Sequence, residues 1–204
     1  MTDGENIQLV LASQSPRRVE LLQNLGLQFQ VVPSNIDETF DEQDPDEVCR
    51  FLAVQKANAV AGSLESAAAP TRTLVLAADT IVVLGKDILG KPSSREDAYQ
   101  MLMRMSGRCH QVFTGVAILD CKTKEMLSDY EVSSVYFRSL DSAEVRAYAR
   151  TAEPMDKAGA YALQGTASAF VDKIDGCYTN VIGLPVPLTV KMLRGLGLRI
   201  LGLP

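Results

Sequence analysis

The chain has 204 residues, of which 47% are hydrophobic and 22% are charged, and its formal net charge at pH 7 is -5. This balance is typical of a globular protein of one or two domains with a sizeable core. It argues against a nucleic-acid coat or a polybasic membrane binder, although a local basic pocket for an anionic small molecule remains compatible with it. The one histidine, His110, leaves little material for a Ser-His-Asp triad or a metal site of several histidines.

The cysteines and the start of the chain bear on the cellular compartment. No two of the four cysteines stand at CxxC spacing, so neither a zinc ribbon nor a redox motif is indicated, and we predict reduced intracellular thiols. The first residues are polar and acidic, unlike a signal peptide, and no apolar run approaches the length of a membrane span. We therefore predict a cytoplasmic protein.

A strand followed by a helix is predicted at the start of the chain. Residues 9–12 are apolar and predict a short buried strand. Ser15 suits the N-cap of the next helix and Pro16 its first position. Arg17 and Arg18 then place positive charge against the helix dipole, which an anion bound at the helix N-terminus would relieve. The alternative is a pair of solvated surface arginines.

The next segments contribute a carboxylate and a lysine. A second strand is predicted near residues 28–33, and Glu38 follows in a loop, where such side chains usually stay in solvent. A helix is predicted over about residues 46–61, and Lys56 lies on it. A lone helical lysine is more often a surface residue than a site residue. We expect one side of this helix to face the core through Val48, Leu52, Gln55 and Ala59.

Residues 74–84 are β-branched and apolar on both sides, as in a fully buried strand, yet Asp79 stands in the middle. Burying this carboxylate without a partner would cost several kcal/mol or keep it protonated. A metal ion, a cluster of cations or a set of backbone N–H groups would remove that cost. The alternative is a buried aspartate that caps a turn.

The second half of the chain alternates strands and helices. Lys91 stands between a glycine and a proline, which makes it less mobile than a helical lysine. Residues 107–120 and 126–140 are two long β-type runs that predict an antiparallel hairpin, with His110 in a structural, hydrogen-bonded role. The interleaved strands and helices predict an α/β or α+β fold with a mixed sheet.

The polar candidates combine several cations with two carboxylates. Hydrolysis of a phosphoanhydride needs such a set, because cations neutralise the polyphosphate, carboxylates hold a hard divalent ion, and one carboxylate orients or deprotonates water. The candidates are Ser13, Arg17, Arg18, Glu38, Lys56, Asp79 and Lys91.

An ordered set of short motifs runs through about residues 8–195. The motifs are LASQSPRR at 11–18, ADT at 78–80, GKP at 90–92, FTG at 113–115, DKAGAY at 156–161, QG at 164–165 and NVIGLP at 180–185. Together they resemble the Maf family of nucleoside triphosphate pyrophosphatases. The resemblance implies an α/β fold related to the inosine triphosphate pyrophosphatases, in which helices flank an elongated mixed sheet and two lobes surround a cleft. It implies a single Maf-like domain over residues 1–204, with residues 1–7 as a flexible N-terminus.

The resemblance also implies a reaction and its catalytic residues. The reaction is cleavage of a nucleoside triphosphate to the monophosphate and pyrophosphate, dependent on a divalent cation, Mg²⁺ or Mn²⁺. Asp79 matches the family's proton acceptor, with Lys56 and Lys91 as catalytic cations. Glu38 and Asp79 match the metal-binding positions.

Other matched residues concern the substrate. Ser13 and Arg18 match polar groups around the phosphates, whereas Arg17, Thr80 and Gln164 match positions linked to substrate choice. The Pro-Arg-Arg form of the first motif resembles the branch that acts on dTTP and UTP. The resemblance therefore implies these substrates and, by extension, modified pyrimidine nucleotides.

Two readings from other classes compete with the enzyme. A nucleotide-binding regulator of cell division without significant turnover would not need a general base, which argues against it. A nucleic-acid-binding module is disfavoured by the acidic net charge and by the lack of a basic stretch interleaved with aromatic residues. We expect a nucleotide substrate as the partner, with no nucleic acid and no membrane, and a homodimer is implied by the resemblance alone.

Overall fold

The structure, a computed structural model, describes residues 7–37, 39–40, 44–64 and 72–200. In these ranges a seven-stranded sheet has the strand order β2-β1-β3-β5-β6-β7, and β4 pairs with β3. The strands are β1 (Ile7–Leu11), β2 (Phe29–Val31), β3 (Arg72–Leu84), β4 (Asp87–Leu89), β5 (Cys109–Asp120), β6 (Met126–Phe137) and β7 (Val171–Asp175). The helices are α1 (Pro16–Asn24), α2 (Pro45–Leu64), α3 (Arg95–Met105), α4 (Ser142–Ala149), α5 (Tyr178–Ile182) and α6 (Val186–Gly195), with 3₁₀ turns at Glu153–Asp156, Ala158–Ala160 and Thr166–Phe170.

The sheet is mixed, which confirms the predicted fold class. Strand β1 runs parallel to both β2 and β3, whereas β4 is antiparallel to β3 and β7 is antiparallel to β6. The predicted hairpin forms between β5 and β6, which are neighbours in the sheet. Hydrogen bonds from Asp120 N to Glu125 O (2.9 Å) and from Phe137 N to Arg108 O (3.0 Å) close its two ends in antiparallel order.

The chain divides into two compact units. The first comprises Met1–Asp79, Thr114–Tyr130 and Gly183–Pro204, and the second comprises Thr80–Phe113 and Glu131–Ile182. The single domain over residues 1–204 stays a prediction. Of the predicted flexible N-terminus, residues 1–6 lie outside the described residues, and β1 begins at Ile7.

Two general expectations concern the thiols and membrane segments. None of the four cysteines, all of which the structure describes, forms a disulfide. None of the helices in the described part of the chain has the length and apolar character that a membrane crossing needs.

In the first unit, helix α2 packs against the sheet through small residues. Ala53 and Ala57 belong to one buried cluster with Val10 of β1 and with Val75 and Ala77 of β3. Small side chains at successive helical turns let a helix approach a sheet closely. The buried side of α2 consists of Val48, Cys49, Leu52, Ala53, Lys56, Ala57, Val60 and Ala61.

This buried side differs from the one we expected. Val48 and Leu52 are buried as predicted, but Ala59 is exposed and Gln55 only partly buried. The prediction chose Gln55 and Ala59 and passed over Ala53 and Ala57, which belong to the buried cluster.

One glycine shows how closely α2 approaches strand β5. A Cβ atom at Gly115 would lie 2.2 Å from the carbonyl oxygen of Cys49 and 2.6 Å from the amide nitrogen of Arg50. The backbone of α2 therefore occupies the space that any side chain at this position would need, and only glycine fits.

The core of the second unit contains a buried histidine. His110 is 1% exposed, and its Nε2 is 2.8 Å from the hydroxyl oxygen of Tyr161. The ring of Phe137 meets the imidazole edge to face, with ring centroids 4.8 Å apart. This confirms the structural, hydrogen-bonded role predicted for His110. Burial lowers the pKa of this imidazole from 6.5 to about 4.

We predict that acid destabilises the protein through His110. Between pH 6.5 and pH 4 the unfolded chain binds a proton at this residue and the folded chain does not, so the free energy of unfolding falls as the pH falls. From pH 7 to pH 5 the loss should be about 2 kcal/mol. Urea unfolding of wild type and His110→Gln at both pH values measures it. Because this is the only histidine, an equal pH dependence in the variant would contradict the assignment.

Candidate active site

A buried ion pair joins helix α2 to strand β3. Alternation along β3 places Asp79 on the same face as Val75 and Ala77, and α2 packs on that face. Lys56 lies on the buried side of α2, and its Nζ is 2.5 Å from Asp79 Oδ1. Of the partners considered for Asp79, the structure thus supplies a cation.

Both partners are almost fully buried, with Asp79 6% and Lys56 7% exposed. The expectation that a lone helical lysine lies at the surface is therefore wrong for Lys56, because its ammonium group pairs with the carboxylate of Asp79 on β3. Taking either charge out of water is costly, so each side chain depends on the other.

Cys49, also on α2, is the thiol near this pair. Burial of the thiol and then the negative charge of Asp79 raise the pKa of Cys49 to about 12. The thiol is thus protonated at neutral pH, which excludes it as a thiolate nucleophile.

The loop between β1 and α1 is organised by two predicted site residues. Ser13 Oγ accepts hydrogen bonds from the backbone N–H of Ser15 (3.2 Å) and from Arg18 Nη1 (3.1 Å). Arg18 Nε donates to the carbonyl oxygen of Gly183 at 2.7 Å. Arg18 is therefore held by hydrogen bonds and is not a solvated surface arginine. The neighbouring Arg17 is half-buried.

The N-terminus of α1 follows the prediction in part. Pro16 occupies the first turn and Ser15 the N-cap position, as predicted. The Ser15 side chain makes no capping hydrogen bond. The Ser15 hydroxyl therefore does not cap the first-turn N–H groups of α1. Such N–H groups suit an anion.

The strand register places this loop and the ion pair just beyond the last residues that pair β1 with β3. Leu11 of β1 pairs with Leu76 of β3 in parallel, and Ala12 N donates to Leu76 O at 2.7 Å. Ser13 follows two residues beyond Leu11, and Asp79 lies three residues beyond Leu76. Ligands of open α/β sheets commonly bind at the carboxyl ends of parallel strands. The first unit therefore collects Ser13, Arg18, Lys56 and Asp79 in one region.

Three other predicted residues, Thr80, Lys91 and Gln164, belong to the second unit. Thr80 is half-buried, whereas Lys91 and Gln164 are exposed. The carbonyl oxygen of Gly90, next to Lys91, accepts a hydrogen bond from Gly159 N at 3.0 Å. This bond ties the GKP motif to the DKAGAY motif.

The DKAGAY motif carries a strained backbone. Gly159 and Ala160 both have left-handed φ values, +67° and +61°, and Ala160 is fully buried. A left-handed alanine costs about 1–2 kcal/mol, so the packing around it must hold it. A Cβ atom at Gly159 would lie 2.9 Å from Val82 Cγ1, which explains the glycine. No sequence pattern in this motif predicted the left-handed alanine.

The structure describes one of the two predicted metal ligands, Asp79. Glu38 lies outside the described residues. Over the residues that the structure describes, no group of three or more His, Cys, Asp or Glu side chains could hold a metal ion. Mg²⁺ in nucleotide enzymes is commonly held by one or two carboxylates together with substrate phosphates and waters. Asp79 fits that mode, and the metal site stays a prediction.

Comparison with known proteins places the chain in a family. The family model described as Maf-like protein matches residues 8–196, so the chain belongs to this family. A dTTP/UTP pyrophosphatase of Pelotomaculum thermopropionicum is 48% identical, with 95% of this chain and 99% of the relative covered. Proteins of the same name from Alkaliphilus oremlandii (49% identical, 88% and 91% covered) and Desulforamulus reducens (47% identical, 94% and 98% covered) are similarly related.

Among solved structures, a nucleoside-triphosphatase / dITP/XTP pyrophosphatase from Mycobacterium abscessus aligns with 93% of this chain and 96% of its own. The TM-score is 0.40 and the sequence identity is 10%. A similarity at this level adds nothing to the family assignment.

We predict that Asp79→Ala destabilises the fold, because it leaves the Lys56 ammonium buried without its carboxylate. Breaking a buried ion pair costs about 3–5 kcal/mol. Asp79→Asn should lose less, because the amide oxygen still accepts a hydrogen bond from Lys56 Nζ. Urea unfolding measures both. Asp87→Ala is the matched control, since Asp87 pairs with Arg104 at a side chain that is 64% exposed and such a pair contributes only ~0–1 kcal/mol. Equal losses for Asp79→Ala and Asp87→Ala would contradict the prediction.

Proposed function

We propose that this protein hydrolyses nucleoside triphosphates, chiefly dTTP and UTP and also modified pyrimidine nucleotides, to the monophosphate and pyrophosphate. The observation that carries the proposal is the buried Lys56–Asp79 pair beside the Ser13–Arg18 loop. A carboxylate fixed by an ammonium next to hydrogen-bond donors suits water activation beside a polyphosphate. The relatives named dTTP/UTP pyrophosphatase support the same substrates.

We assign binding of the polyphosphate mainly to hydrogen-bond donors of the first unit. The Arg18 guanidinium has five N–H donors and a planar shape that matches phosphate oxygens. Its hydrogen bonds to Ser13 and Gly183 hold it in one orientation, so little side-chain entropy is lost when a phosphate binds. The first-turn N–H groups of α1, which the Ser15 side chain does not cap, add donors at the positive end of the helix dipole. Lys91 is assigned to the phosphates as a further cation.

Asp79 is assigned as the general base. Lys56 Nζ holds Oδ1 of this carboxylate, and we assign the second oxygen, Oδ2, to the attacking water. Water that loses its proton to Asp79 attacks the α-phosphorus, the bond between this phosphorus and the bridging oxygen breaks, and pyrophosphate leaves. A divalent cation, Mg²⁺ or Mn²⁺, held by Asp79 and Glu38 would neutralise charge on the phosphates.

The setting of this reaction is also proposed. The four cysteines, present as thiols and not as disulfides, favour a reducing compartment such as the cytoplasm. The acidic net charge supports a small nucleotide as the partner, without nucleic acid or membrane. A homodimer remains part of the proposal on family grounds alone.

Asp79→Asn should abolish turnover while the fold survives. Asn keeps the shape and the hydrogen bond to Lys56 but cannot take a proton, and general-base assistance is worth ~10²–10⁴-fold in rate. Pyrophosphate release from dTTP and UTP with added Mg²⁺ or Mn²⁺ measures it, with Asp87→Asn as a control that should keep wild-type rates. A variant with more than about a tenth of the wild-type kcat would show that Asp79 is not the base. Wild-type protein that binds dTTP without releasing pyrophosphate would instead support the non-catalytic regulator.

Gln164→Glu should impair pyrimidine substrates selectively. The primary amide can pair with both the N–H and the carbonyl of uracil or thymine, and the carboxylate removes the donor. A buried polar group left unpaired costs ~1–3 kcal/mol, so kcat/KM for dTTP and UTP should fall by about tenfold or more. Gln100→Glu makes the same chemical change on the exposed side of α3 and should leave these values unchanged. Equal losses on pyrimidine and purine nucleotides would show that Gln164 does not read the base.

A further inference from the structure

We propose that Glu153 is a positioning residue that fixes the segment carrying Gln164 and thereby sets the base preference of the site. The proposal rests on the proposed function, because it assigns a support to the residue that reads the base. It arises from a carboxylate to which the sequence analysis gave no role.

Glu153 binds the backbone just beyond Gln164. Its Oε2 accepts a hydrogen bond from Thr166 N at 3.1 Å, and its Oε1 lies 3.5 Å from Ala167 N. These two amides begin the 3₁₀ turn Thr166–Phe170. A carboxylate bound to successive N–H groups at the start of a turn neutralises donors that would otherwise need water. Gln164 precedes the first of these amides by two residues.

Gly165 leaves the space for this carboxylate. A Cβ atom at Gly165 would lie 2.0 Å from Glu153 Oε1 and 2.5 Å from its carboxyl carbon. The φ of Gly165 is -114°, which any residue can adopt. The glycine next to Gln164 is therefore explained by the room it gives Glu153 and not by backbone conformation.

The carboxylate is itself held from the other side. Tyr148 on α4 donates its hydroxyl proton to Glu153 Oε1 at 3.1 Å. Burial and then the charge of Glu153 raise the pKa of Tyr148, so the hydroxyl stays a donor at neutral pH. The backbone N–H of Glu153 also donates to Thr151 Oγ1 at 3.3 Å. Glu153 thus connects the end of α4 to the Gln164 segment.

This anchor has a specific consequence for an exposed amide. Gln164 is exposed, so the packing of its own side chain does little to fix it. A glutamine can present its amide in two orientations, one matching uracil and one matching cytosine. Selection of uracil or thymine over cytosine requires that neighbouring groups keep the amide in one orientation, and they can do so only if the backbone that carries Gln164 stays in place beside them. Glu153 supplies that constraint from two residues away.

The test compares Glu153→Ala and Glu153→Gln with Glu144→Gln. Glu144 is the matched control because it is also a carboxylate in the second unit that binds a backbone N–H, that of Asp141, and a side chain, that of Arg138. The ratio of kcat/KM for dTTP to that for CTP is measured for each variant. Hydrogen exchange of the amides in residues 165–168 is measured without nucleotide.

Glu153→Ala should lower the dTTP-to-CTP ratio by about threefold to tenfold and speed exchange in residues 165–168, since each lost hydrogen bond is worth about that factor. Glu153→Gln should lie between, because its amide oxygen still accepts one of the bonds. Glu144→Gln should reduce stability and leave the dTTP-to-CTP ratio unchanged, even if exchange at the end of the same turn rises because its partner Arg138 also donates to the carbonyl oxygen of Ala169. In a Gln164→Ala background, Glu153→Ala should leave the ratio unchanged.

Unchanged exchange in Glu153→Ala would overturn the anchor. Faster exchange with an unchanged dTTP-to-CTP ratio would reduce Glu153 to a structural residue and overturn its role in selection. Failure of the proposed function is a separate result, because it appears as a lack of dTTP turnover by the wild-type protein, and it would remove this proposal as well.

Discussion

The contact between Lys56 and Asp79 is the interaction on which the first unit depends. Two charges meet between a helix and a sheet that pack mainly through alanine and valine side chains. Burying either charge without a partner is costly, so the pair favours the helix position in which the ammonium reaches the carboxylate. The contact that completes the fold is therefore also the one to which we assign the chemistry. Variants that alter turnover at these two positions need a separate measurement of folding, because one substitution changes both.

A second principle is that side chains which we assign to the site are held by the protein before any ligand arrives. Arg18 is bound through Ser13 and the carbonyl oxygen of Gly183, and the Gln164 segment is bound through Glu153. Groups with fixed orientation lose less entropy on binding and react from a defined geometry. In both places a side chain fixes a segment of backbone, so the precision of the site comes from hydrogen bonds as well as from apolar packing.

The sequence predicted what depends on local patterns. The mixed sheet, the β5–β6 hairpin and Pro16 at the start of α1 follow from residue periodicity and turn chemistry, and they are found. The burial of Lys56 could not be predicted in the same way, because its partner is 23 residues away on another element. Glu153 has no local signature either, since the amide of Thr166 that it binds is 13 residues further along the chain.

The buried side of α2 shows a different limit. The predicted side of this helix included Gln55 and Ala59, whereas the helix packs on the sheet through Ala53 and Ala57, so the predicted face is shifted from the buried one. The absence of a side chain at Gly115 makes that approach possible, because the backbone of α2 rests where a Cβ would be. Main-chain atoms have no rotamers, so this contact cannot be relaxed by exchanging one apolar residue for another. Gly115 therefore fixes the distance between α2 and the sheet. Substitutions among the core residues of α2 can change how tightly the helix is held, but main-chain atoms set that distance.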